Sequence, residues 1–200
     1  MRALTWLTFV TIAFVQHQAA EHPYSRAQGA QFQTKLTRIV ETGNTPRKAK
    51  PRGSVSTQVT DAEVSAYLRY NLKDGLPTGI VDPSLQALGE GRVSGRAIVD
   101  LDAVRKQKQR GWLDPMGYMT GRLPVTARGR LVTKDGVGRF QLEGAEVSGV
   151  TVPKVFIQEL LTFYSRTPEK PNGINMDDPF ELPAQIQEIR VATGTATIVQ

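Results

Sequence analysis

Apolar and polar residues alternate most regularly between residues 121 and 152. Leu123, Val125, Ala127, Gly129 and Leu131 interleave with Arg122, Pro124, Thr126, Arg128 and Arg130. That is the period-two pattern of a strand with one apolar face and one face carrying arginines. Asp135-Gly136 follows, a dipeptide suited to a turn that needs positive φ at both central positions. The pattern therefore predicts a long hairpin, 121–134 paired with 137–152. Phe140 and Leu142 continue the alternation, and Gly144 breaks its phase before Val147, which predicts a bulge there. Past Pro153, Phe156, Ile157, Leu160, Leu161, Phe163 and Tyr164 fall within a helical arc of roughly 160°, wider than a surface helix needs. Such a helix is either plain core or the inner wall of an apolar groove.

Upstream, Thr60-Asp61-Ala62-Glu63 is a capping box that predicts a helix over 61–73, burying Val64, Tyr67, Leu68 and Leu72. A second hairpin is expected over 81–88 and 92–101, with Pro83 suited to a sheet edge. Gly95 and Ala97, like Ala127 and Gly129, thin the strands, which allows either close helix packing or an open ligand groove. Asp102 is placed to cap a short helix ending near Arg110. The chain closes with strands around 186–191 and 196–199, turned at Gly194. The fold class read from this order is α+β, a single domain over 57–200 built on a curved antiparallel sheet of long hairpins wrapped on an apolar helix.

The N-terminal third reads differently. Met1-Arg2, an uncharged run over 3–15 and the small residues Ala19 and Ala20 have the layout of a cleavable signal peptide, residues 1–20. The run is shorter than the roughly 20 residues a membrane-crossing helix needs. The expected location is therefore the periplasm or the extracellular space, as a soluble protein. Residues 21–56 read as a flexible basic extension, with Phe32, Leu36, Ile39 and Val40 spaced for a short amphipathic helix over 30–41.

The chain has no cysteine and two histidines, one of them inside the predicted signal peptide. That composition argues against Cys or His zinc sites and a His-based triad, and no cofactor or metal is expected. Paired carboxylates need no histidine, so Asp100, Asp102, Asp114, Asp177 and Asp178 are the candidates for glycoside chemistry, although nothing in the sequence brings two together. A non-catalytic reading is preferred.

A net charge of +6 suits anionic partners, and export makes nucleic acid the least suitable of them. Arg105, Lys106, Lys108 and Arg110 precede Trp112, Leu113, Met116, Tyr118 and Met119. Cationic and amphipathic groups so placed fit the rim that meets an anionic membrane, while a plug under the sheet edge explains the apolar loop equally well. Arg128 and Arg130 point to one side and are candidates for an anionic headgroup, while an ordinary solvated strand face is the simpler reading of the pair.

The stretches Glu146-Val147-Ser148-Gly149-Val150-Thr151-Val152-Pro153, Phe180-Glu181-Leu182-Pro183 and Ile186-Gln187-Glu188-Ile189-Arg190-Val191 resemble the LmeA-like lipid-binding proteins of bacterial envelopes, relatives of the tubular lipid-binding (TULIP) superfamily. The resemblance covers residues 59–200. It implies a TULIP-like sheet around a long helix with lipid tails between them, and it transfers no catalytic motif. The long basic extension departs from the family pattern. On this reading Leu123, Val125, Phe140, Leu142, Phe156, Leu160, Phe163 and Tyr164 line the ligand site. Arg105, Lys106, Lys108, Arg110, Trp112, Met116, Arg128 and Arg130 meet headgroup or membrane. The expected function is that of an exported carrier of lipid or another apolar ligand. A structural or adaptor protein of the envelope and a carbohydrate-active enzyme stay open as alternatives, and the oligomeric state is unassigned.

Overall fold

The computed structural model describes residues 24–45, 53–72, 75–107, 120–166, 168 and 170–200, and for 105–107, 160, 163 and 164 it describes the backbone alone. The predicted signal peptide lies outside the described residues.

The first element is a helix longer than the spacing of its apolar residues predicts, α1 (Arg26–Asn44). Ser25 and Gln28 cap it reciprocally: the Gln28 N–H donates to Ser25 Oγ at 3.2 Å and the Ser25 N–H to Gln28 Oε1 at 2.8 Å. Far from standing apart, α1 packs along the second helix, α2 (Asp61–Tyr70), and sends Ile39 into the core at 2% exposure. This corrects the expectation of a flexible extension for residues 24–45; residues 21–23 and 46–52 of that extension lie outside the described residues.

The capping box at α2 is present, with Glu63 Oε2 accepting from the Thr60 N–H at 2.9 Å and Thr60 Oγ1 accepting from the Glu63 N–H at 3.1 Å. Glu63 has a second task, because Lys35 Nζ from α1 lies 2.8 Å from each of its oxygens. Burial pushes the Glu63 carboxyl up, but the hydrogen bonds from Lys35 and Thr60 outweigh it and hold the group below the usual carboxylate range. The tightest face of α2 is Ser65 and Ala66, both at 0% exposure, in place of the expected Val64, Tyr67 and Leu68, which are half-buried. Small residues are needed there because α2 lies against a strand edge.

That edge belongs to the larger of two open antiparallel sheets among the described residues. Its main path runs β2 (Ile80–Gly89), β3 (Arg92–Asp100), β4 (Arg122–Lys134), β5 (Val137–Val147) and β6 (Val150–Val152), with β7 (Phe180–Glu181) pairing the start of β5. The Ser65 hydroxyl accepts from the Leu85 N–H at 2.9 Å and donates to the Leu85 carbonyl at 3.0 Å, so one side chain satisfies both outward-facing groups of that residue of β2. Pro83, which has no N–H, sits at a register shift of the same edge strand.

The β4–β5 hairpin turns at Asp135 (φ 51°) and Gly136 (φ 81°), and a bulge lies where Arg128 pairs Gly144 and Gly129 pairs Leu142. The expected second arm to 152 is two strands. Ser148 and Gly149 also take positive φ, folding β6 back onto β5. The short helix α3 (Leu101–Gln107) is capped by Asp100, whose Oδ1 accepts from the Ala103 N–H at 2.9 Å; Asp102, the expected cap, instead accepts from the Gly121 N–H at 3.2 Å.

The second sheet has the order β1 (Ser56–Thr60), β9 (Thr195–Val199), β8 (Glu188–Ala192). Its β8 edge meets β4 through Thr133, whose hydroxyl accepts from the Ile189 N–H at 2.8 Å and donates to the Ile189 carbonyl at 3.0 Å. Thr133 thus repeats what Ser65 does for β2. Ile39, Leu182 and Ile186 form the buried cluster, with Ala184, Ile189 and Ile198 packed against it. The core accordingly sits between α1, the segment 182–186 and the smaller sheet.

The helix α4 (Lys154–Ser165) begins directly after Pro153, as expected, but it packs chiefly on β5. Its Val155 and Phe156 are 70% and 47% exposed. An α+β chain with antiparallel hairpins is therefore what the structure shows, whereas a sheet wrapped around this helix is not seen among the described residues. The loop after α4 holds it instead: Gln158 Oε1 accepts from the Met176 N–H at 2.9 Å, Ser165 Oγ from the Ile174 N–H at 2.7 Å, and Lys154 Nζ reaches Asp177 at 2.6 Å.

Candidate functional site

The strand register assembles one continuous apolar face. Val99, Ala97 and Gly95 of β3 stand opposite Leu123, Val125 and Ala127 of β4, and Val125 and Ala127 stand in turn opposite Val147 and Ala145 of β5. Directly paired residues share a face, so this row follows from the alternation read in the sequence. The face has two unlike halves. Toward the Asp135-Gly136 turn it is filled: a Cβ on Gly129 would strike the Phe140 ring, and Leu142 lies opposite Gly129. Around Gly95 it is shallow, because a Cβ there would meet no atom within 4 Å. Of the expected lining residues, Leu123 and Val125 belong to the shallow half and Phe140 and Leu142 to the filled one. All four are half-buried. The thinning expected from four small residues is thus realised at Gly95 and undone at Gly129.

Phe156, expected in the same lining, lies exposed on α4, and the side chains of Leu160, Phe163 and Tyr164 lie outside the described residues. Val150 at 68% exposure and Ile174 at 44% add apolar surface beside α4, on the strand that leads into it and the loop that ties it down.

Alternation puts Arg128 and Arg130 on the opposite, polar face of the sheet. Arg128 pairs with Glu146 at 3.0 Å, and Arg130 approaches Glu143 at 3.8 Å while donating to the Glu90 carbonyl at 3.2 Å. Both guanidinium groups already have acceptors, so an anionic headgroup would have to compete with them or share their remaining donors. Of the membrane-contact candidates, Arg105 and Lys106 are described as backbone on α3, and Lys108, Arg110, Trp112 and Met116 lie outside the described residues.

Of the carboxylates considered for glycoside chemistry, Asp100, Asp102 and Asp177 are each engaged by a neighbour, and Asp178 follows Asp177 in the loop after α4. Asp100 caps α3 and pairs with Arg122 at 3.0 Å; these two contacts, led by the Ala103 N–H, hold its carboxyl below the usual range. Asp102 accepts from Gly121 and Asp177 pairs with Lys154, while Asp114 lies outside the described residues. Among the described residues no three carboxylate or histidine groups converge as metal ligands would.

Sequence reasoning missed a cavity on the polar face of β2, β3 and β4, of about 490 Å³, reached by Arg69 of α2 and by Tyr24, just before α1. Its floor depends on which residues face each other across three strands, and no single segment signals that.

No family model matches the chain, and no curated protein matches it in sequence. Among solved structures, the chain is similar to the crystal structure of a lipopolysaccharide binding protein, at 14% identity and a TM-score of 0.23 over 78% of this chain and 46% of that one. It thus spans less than half the length of that structure.

Proposed function

We propose that the protein binds the hydrocarbon part of a lipid along the shallow half of its apolar sheet face, as an exported carrier that visits anionic membranes. The observation that carries this reading is the open space over Gly95, flanked by Ala97, Val99, Leu123, Val125 and Ala127. A contiguous apolar face left partly open on a folded chain is a candidate ligand groove. A shallow row of small residues suits a narrow flexible chain better than a bulky ring system. The resemblance of the hairpin and C-terminal strands to LmeA-like proteins supports the same class of ligand, and the N-terminal layout supports export.

Native mass spectrometry with lipid extraction tests the proposal. Gly95 lies in a regular strand without positive φ, so leucine fits its backbone and projects into the trough. Gly95→Leu should fold normally and retain at least about tenfold less lipid, a change equivalent to about 1.4 kcal/mol. Wild-type protein free of lipid, or a variant with unchanged content, would remove the site.

Membrane docking is placed on the basic and aromatic segment 105–119. Four cationic residues at roughly 1 kcal/mol each near an anionic surface support transient contact and fall short of permanent anchoring. Co-sedimentation with anionic vesicles should decline for Trp112→Glu and recover in part at low salt, where the remaining basic residues are screened less. Equal binding by variant and wild type would leave that segment without a membrane role.

A further inference from the structure

The polar-face cavity lies on the other side of the sheet from the proposed lipid trough. Across its floor Arg96 stands between Ser84 on β2 and Thr126 on β4, and in the next row Ser94 stands opposite Gln86. Adjacent strands about 4.8 Å apart space these groups at the scale of a sugar ring. Serine and threonine hydroxyls both donate and accept, as sugar hydroxyls do, so each can meet a ligand hydroxyl in either sense.

The electrostatics are asymmetric. On this face Arg92, Arg122, Arg128 and Arg130 each reach a carboxylate. In the cavity wall Arg69 pairs with Asp82 at 2.9 Å. Arg96 has no such carboxylate among the described residues, so one planar guanidinium is left facing a hollow whose lining mixes the hydroxyls of Ser84, Ser94 and Thr126 with apolar Ile98 and Pro124. A guanidinium of this kind grips a carboxylate or phosphate through two parallel hydrogen bonds. At about 490 Å³ the space exceeds what a lone phosphate fills and lies within the range of small-molecule sites.

We propose that this cavity is a binding site for a small soluble sugar anion, a sugar phosphate or a sugar carboxylate, with Arg96 holding the anionic group and Ser84, Ser94 and Thr126 meeting ring hydroxyls. The site is independent of the lipid reading, because the sheet separates the two.

Calorimetric titration of the full chain with glucose 6-phosphate, glucuronate, glucose and inorganic phosphate tests it. The two sugar anions should bind, with glucose and inorganic phosphate each at least about tenfold weaker. Arg96→Gln, an exposed change on a paired strand, should reduce sugar-anion affinity about tenfold to a hundredfold, the range for a charge-assisted hydrogen bond. Thr126→Val should weaken it less. Arg139→Gln, an exposed arginine near the Asp135-Gly136 turn, should leave affinity unchanged. Failure of both sugar anions to bind, equal binding of glucose, an unchanged Arg96→Gln or an equal loss in Arg139→Gln would each overturn the proposal. So would displacement of glucose 6-phosphate by vesicles of phosphatidylinositol 4-phosphate, which would identify a lipid headgroup as the ligand.

Discussion

Replacing Gly43 by alanine is expected to destabilise the protein by about 3 kcal/mol, as measured by urea unfolding. Helix propensity alone points the other way, since alanine is favoured over glycine inside a helix by about 1 kcal/mol. Geometry decides the sign. Gly43 is buried near the end of α1, and a Cβ there would fall on the backbone of Ala184, with the Ala184 Cα and carbonyl carbon both 2.6 Å away. Backbone cannot swing aside as a side-chain tip can. Residues 184 and 185 moreover hold positive φ, at 52° and 55°, and are tied to α1 by the Gln185 amide, which donates to the Gly43 carbonyl at 2.6 Å. Relief of the clash would therefore shift α1 away from Leu182 and Ile186 and open the core. A Gly43→Ala protein as stable as wild type, or more stable, would show that α1 does not dock as described.

Ser65→Ala is expected to cost about 2 kcal/mol in the same assay, far beyond the usual effect of removing one hydroxyl. The hydroxyl is fully buried and serves the Leu85 N–H and carbonyl together. Its loss leaves two backbone groups on the β2 edge without partners in a space α2 closes to water. The neighbouring edge residue would not compensate, because Ala87 has its own partners in Asp61 and Gly194. A loss under about 0.5 kcal/mol would mean that water reaches this edge.

These two positions also show which parts of the molecule were legible in the sequence. The Thr60–Glu63 capping box, the two hairpins and the bulge at Gly144 are written in residues a few positions apart, where turn chemistry and alternation act directly, whereas the Ser25–Gln28 box of α1 was missed. The splitting of the arm at Ser148-Gly149 was signalled by a Ser-Gly pair, but continuous apolar alternation on either side masked it. What α4 packs against was not legible, because a wide apolar stripe states that cover is favourable without naming the cover. The site residues divide along the same line. Leu123 and Val125 follow from strand period, whereas the unpaired state of Arg96 follows from cross-strand register and from carboxylates elsewhere in the chain. Ile39 is legible only as part of an amphipathic stripe, since its partners Leu182 and Ile186 are remote in sequence.

The Gln200 side chain donates to the Ile39 carbonyl at 2.8 Å across 161 residues and to the Ala184 carbonyl at 2.6 Å. Loop-closure entropy grows with the logarithm of the span, so joining Gln200 to α1 restricts the unfolded chain by about 2 kcal/mol more than forming the widest β4–β5 pairing, Val125 with Val147. Hairpins assemble among near neighbours, while α1, β1 and β9 must meet across almost the whole described chain. The longest of these spans is thus closed at one junction, where the amide of a single glutamine links the N-terminal helix to the turn that carries Ala184.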